Sequence, residues 1–397
     1  MNKKHLYEID FMRFFFIIGV LAIHTIGIVK KQFDPTSLTY QIFGGLHASF
    51  HFTRTSFMFV SGLVLFFSLS HRPVSLLKFW RKRFWLIGIP YLAWNLVYLM
   101  LHGQSPLTLT FYQQLGPHLL HGDLGYLYYV LVTMQLYLII PPLFKWLQHN
   151  QRYHRVILYS SFWCQILITL LIKFVIPHLD TSHWPYLLSH YGVFVGTYQF
   201  YFIAGAITCL NYQELTEWLD SHGPKLIHLL WIAVPAIWLY YYYDRFILHL
   251  GDIASKSVHQ PLFVLYACLF ILIILYLGRR WAAHRLEPHW RWFSKWVALG
   301  AQLSFGIYLA QPIAITGFKW FLANTHLSTL ALILITPIAL LVIYGLSFGI
   351  AYLCYQTPYL AYCIGRPKKI LKTRSSSCLN SAQPCKNNSY NQQPKHE

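Results

Sequence analysis

The chain has 397 residues, 56% of them hydrophobic and 18% aromatic but only 11% charged, and its mean hydropathy is +0.42. Soluble domains carry about 25% charged residues, so this balance excludes an ordinary water-soluble enzyme and predicts a polytopic membrane protein. The net charge of +19 does not point to nucleic acid, because the basic residues fall in clusters between apolar spans rather than over one basic face.

The first predicted element, 9–30, is long enough to cross the hydrocarbon, which takes about 20 apolar residues. It nevertheless carries Asp10, Arg13 and His24. A charge at mid-depth costs about 2.5–3.5 kcal/mol on insertion scales and is usually functional. At about 100° per residue, Arg13 and His24 project from one face, about 16 Å apart along the axis. Asp10 sits one turn before Arg13, within pairing reach. One reading makes Asp10 and Arg13 interface anchors and lets His24 bond between helices. The other makes His24 a general base, since an imidazole's unperturbed pKa of about 6.5 lies near operating pH. The run is too long for a cleavable signal peptide, and Lys31-Gln32 follows it instead of a small-residue cleavage site.

The second element, 50–70, contains SFMFVSGLVLF with the small pair Ser61-Gly62. Small residues let helices approach closely, so the pair is either plain packing or the place where this helix meets the first, with Ser61 offering a hydroxyl. The third, 84–101, is preceded by Arg81, Lys82 and Arg83. That cluster is either an ordinary positive-inside signal or a phosphate site. Seven further helices are expected near 125–146, 156–176, 191–210, 226–243, 261–278, 298–320 and 329–354, giving ten in all. With the N-terminus in the cytoplasm, most of the 31 Lys and Arg fall on the cytoplasmic side. The outer segments keep only Lys30, Lys31, Arg54, Arg245, Lys256 and Lys319. His102, His118 and His121 match no zinc spacing, and the seven cysteines form neither a disulfide framework nor a CxxC pair, so no metal is expected. No internal repeat of the transporter kind is evident. Residues 1–360 should form the membrane domain. Residues 361–397 are polar, basic and too poor in apolar side chains to pack, so they should be a disordered cytoplasmic tail.

The ordered motifs resemble those of the acyltransferase 3 family of integral membrane acyltransferases. Asp10-x2-Arg13-x10-His24 is similar to its opening motif, and Phe57 to Gly62 to its second-helix motif. Arg81-Lys82-Arg83 followed by Pro90-Tyr91 resembles its third-helix entrance, and Tyr126 to Tyr129 with Gln135-Leu136-Tyr137 and Pro141 its fourth helix. Tyr201 to Gly205 and Leu303 to Leu309 match later patterns, and the resemblance spans residues 5–360. The Phe-Met-Phe and Ser-Gly variant looks most like the surface-polysaccharide, or intercellular-adhesin, branch.

This resemblance implies an all-α bundle that transfers an acyl group, commonly acetyl from acetyl-CoA, to a hydroxyl of a cell-envelope glycan. It implies His24, Arg13 and Asp10 as catalytic residues, and Arg81, Lys82 and Arg83 as donor-binding. Ser61, Tyr126 and Gln311 would face substrate; the last two stand where the family often carries His. Acyl-CoA would be a substrate rather than a resident cofactor. The expected partners are the glycan and the bilayer, and the expected location is a bacterial plasma membrane. A transporter or exporter of an envelope glycan is the competing class, and a membrane sensor or scaffold a third.

Overall fold

A backbone in hydrocarbon has no water to bond with, so apolar runs of this length must satisfy their own amides as helices. The computed structural model describes residues 5–70 and 75–366, and these hold fifteen α-helices and no strand. The first six are α1 (Tyr7–Lys30), α2 (Leu38–Ser49), α3 (Phe52–Ser70), α4 (Leu76–Leu101), α5 (Leu109–His121) and α6 (Tyr128–His149). There follow α7 (His154–Phe174), the short α8 (Tyr186–Ser189), α9 (Gln199–Leu210), α10 (Tyr212–His228) and α11 (Leu230–Tyr242). The last four are α12 (Asp252–Ser255), α13 (Pro261–His284), α14 (Arg291–Ala323) and α15 (Thr329–Gln356).

Among the described residues, eight helical stretches are long and apolar enough to span a membrane, α2 and α3 counting together. The pair α10 and α11, bent by 54°, makes a ninth if taken as one span. Each of the ten predicted segments is helical, but the one near 191–210 is short, with its apolar helix covering Val195–Leu210. The protein is therefore a multi-pass membrane protein. Its lipid-facing exterior exposes side chains such as Trp231, Leu341 and Leu353. A search for apolar runs passes over α2, α5 and α10 because they are mixed in character. α10, for example, carries Glu214, Glu217 and Asp220 on its outside while Leu219 and Gly223 are buried.

α1 is the central rod. It packs against α2, α3, α13, α14 and α15, and Met12, Phe16, Ile17, Leu21 and Val29 are fully buried along it. Of the two readings of Gly62, plain packing and admission of α1, the structure favours packing, and against another helix. A Cβ there would strike the Phe202 carbonyl on α9, and one at Gly205 would strike the Phe59 carbonyl. The two glycines let α3 and α9 touch backbone to backbone. Ser61, one residue earlier and about 100° away around the helix, faces the interior cavity instead.

Buried charges fasten the helix ends. Lys30, at the end of α1, donates to the Asp252 carboxylate and to the Tyr241 hydroxyl at 3.1 Å. Burial pushes the Asp252 carboxyl up, but Lys256 and Lys30 outweigh it and hold the group at about 2. Lys173 on α7 pairs with Asp244 at 2.6 Å and donates to Tyr240 at 2.8 Å and Gln260 at 3.1 Å. After α15 the chain turns back into the bundle. Residues 360–364 form a 3-10 turn with Ala361 and Ile364 buried, and the Trp94 indole donates to the Cys363 carbonyl at 3.0 Å. The tail expected from 361 onward lies outside the described residues from 367, while 361–366 pack in the bundle.

Candidate active site

α1, α3, α4, α6 and α14, closed by the 364–366 segment, surround a cavity of about 360 Å³. Arg13 and His24 both line it, as one helical face requires. The Arg13 end also receives Arg83 and Arg366, and the His24 end receives His51 and Arg54. Among the described residues no carboxylate lines the cavity.

The His24 ring stacks on Tyr126, with centroids 3.9 Å apart and planes 25° from parallel. Tyr126 itself is held by its backbone, whose carbonyl accepts from the Tyr308 hydroxyl. Among the described residues no hydrogen bond engages the His24 ring, so its nitrogens are available to whatever enters the cavity. Ser61 also lines the cavity, its hydroxyl 3.4 Å from that of Tyr129. Arg83 lines the opposite end, donating to the Ser68 hydroxyl at 3.3 Å.

The remaining predicted site residues lie elsewhere. Asp10 pairs with His5 at 2.5 Å, and no ion pair joins it to Arg13 among the described residues. Arg81 and Lys82 are exposed and do not line the cavity. Tyr126 does not line the cavity but touches two residues that do, His24 and Tyr308. Gln311 continues the α14 face that carries Ser304 and Tyr308, yet it does not line the cavity. It is fully buried, and neither its amide oxygen nor its nitrogen has a partner among the described residues.

The cavity residues absent from the sequence-based set include His51 and Arg54. His51 sits in the Phe50-His51 break between α2 and α3; its Nε2 is 3.0 Å from His47 Nδ1, and its own Nδ1 has no partner among the described residues. Arg54, three residues on, donates to the Tyr198 hydroxyl at 3.4 Å and lies 4.8 Å over the Tyr128 ring. Behind it, burial first and the Arg54 charge second pull the His259 imidazole down to about 3. The signal was present: in HASFHFTR, His47, His51 and Arg54 recur at intervals of four and three, the spacing of one helical face. Chemically, one end of the cavity offers cations with no acid to neutralise them, which suits an anion. The other offers a free imidazole beside a guanidinium, which suits proton transfer next to a developing negative charge.

A family model described as an acyltransferase domain matches residues 6–356. No curated protein and no solved structure matches the chain.

Proposed function

Since the chain belongs to the acyltransferase 3 family, we propose that it moves an acyl group, acetyl in the first instance, from cytoplasmic acyl-CoA to a hydroxyl of a cell-envelope glycan. The observation that carries this reading is that an unengaged imidazole and an acid-free cluster of arginines share one cavity, joined by α1.

The donor's phosphates bind at the Arg13 end, with Arg83 facing them. Its pantetheine arm runs along α1, and the thioester lies near His24. The glycan hydroxyl arrives from the opposite, outer side. His24 takes its proton as the oxygen attacks the thioester carbonyl. Arg54 offsets the charge that develops on the carbonyl oxygen, the role of preorganised donors in acyl transfer. The C–O bond forms and the C–S bond breaks. The departing thiolate takes the proton from the imidazolium, so CoA leaves as the free thiol and His24 returns to its starting state. Tyr126 holds the ring plane throughout by stacking.

Release of CoA thiol from acetyl-CoA by the purified protein tests this. Replacing His24 with Ala should lower the rate about 10²–10⁴-fold, the usual contribution of a general base, without changing gel-filtration behaviour. Substantial activity in that variant removes His24 from the chemistry. No thiol release by folded, unaltered protein supplied with envelope glycan removes acyl-CoA as donor.

A further inference from the structure

The family match stops at residue 356, yet residues beyond it build part of the cavity wall. Three local contacts bring them there. The Arg366 amide donates to the Ala361 carbonyl at 2.9 Å and closes the turn. Gly365 has φ +65°, and a Cβ on it would stand 2.6 Å from the Leu86 carbonyl of α4, so both its conformation and the close approach call for glycine. The Trp94 indole anchors Cys363. Arg366 then enters the cavity with its Nε donating to the Gln302 carbonyl on α14 at 3.0 Å. Its terminal nitrogens have no partner among the described residues.

This puts a third guanidinium at the end that already holds Arg13 and Arg83. Burial pulls the Arg366 guanidinium down to about 10, and the charge of Arg13 adds to the effect. Asp10 acts in the opposite sense on Arg366, but it is engaged by His5 and lies outside the cavity. Like charges withdrawn from water are costly unless a counter-charge meets them, and among the described residues no side chain lining the cavity supplies one. A guanidinium fixed at Nε keeps its outer edge free for the two-pronged contact that phosphate accepts.

We propose that Arg366 is a donor-binding residue that, with Arg13 and Arg83, grips the phosphate-bearing end of the acyl carrier. The inference rests on the acyl-CoA reading above. It makes the segment after the last membrane helix part of the donor site.

Binding of CoA and of pantetheine, which lacks the phosphates, to the full-length protein in nanodiscs separates the possibilities. Arg366→Gln should weaken CoA by about 10–100-fold, the range for loss of a charged hydrogen bond, and leave pantetheine unchanged. Arg366→Lys, which keeps the charge without the fork, should fall between. Equal weakening of both ligands would mean a structural role and overturns the inference. Unchanged CoA affinity overturns it as well, and if bound anionic lipid is lost at the same time, the arginine belongs to a lipid headgroup. Failure of the unaltered protein to bind CoA takes away the donor reading itself, an outcome distinct from a defect confined to the variant.

Discussion

Tyr126 bears on His24 through its ring, while its hydroxyl plays no part in the stacking. On the proposed reading, Tyr126→Phe should therefore keep nearly full acyl-transfer activity. Tyr126→Ala should lower kcat by about 2- to 10-fold, the worth of one aromatic contact, with the donor KM unchanged. Steady-state kinetics on both variants checks this. The residue scale is also where sequence reading went furthest. Arg13 and His24 stand out because charge is rare in an apolar helix, and their common face follows from the helical period alone. Arg54 was hidden for the opposite reason. It follows a helix break at Phe50-His51, so it reads as a cation in an outer segment rather than as part of a face with His47 and His51. Arg81 and Arg83 are alike in composition, and only the rotation of α4 separates the exposed one from the one in the cavity.

Helices α3 and α9 meet at a crossing that tolerates no side chain. Gly205→Ala should cost about 1–3 kcal/mol, the range for overpacking, because the new carbon would collide with the Phe59 carbonyl and the Leu63 amide. Gly345→Ala on α15, where nothing lies within 4 Å, should stay within about 0.5 kcal/mol of the parent. Thermal unfolding of the two variants in one detergent reads the difference. That a small pair at 61–62 mattered for packing was visible in the sequence. Which helix it meets was not, since adjacent positions on a helix face directions about 100° apart and pattern alone does not say where a neighbour lies. The amphipathic α10 was missed because a hydrophobic-run criterion sees only helices surrounded by lipid or core.

Across the whole molecule, buried ion pairs whose members do not line the cavity fasten helices that the hydrophobic effect cannot tell apart inside lipid. Asp244→Asn leaves the Lys173 ammonium buried without its counter-ion and should destabilise the fold by about 3–5 kcal/mol. The double variant Lys173→Met with Asp244→Asn should recover part of that loss, and any fully folded fraction should retain its kcat. Chemical denaturation beside a rate measurement separates the two effects. The order of the long apolar helices was legible from apolar length, while their number was not: ten were expected, and eight or nine helical stretches among the described residues are long and apolar enough to span. The return of residues 360–366 was not legible, because the apolar run Leu360–Ile364 is too short to carry a periodicity. The central position of α1 has one more consequence. Packed against five other helices, it holds Arg13 and His24 at positions about 16 Å apart along its axis. On the proposed reading α1 works as a ruler. It measures the carrier's arm rather than the cargo at its tip, so selectivity for the donor resides in reach, and no rocking of one half of the bundle against the other is needed for turnover.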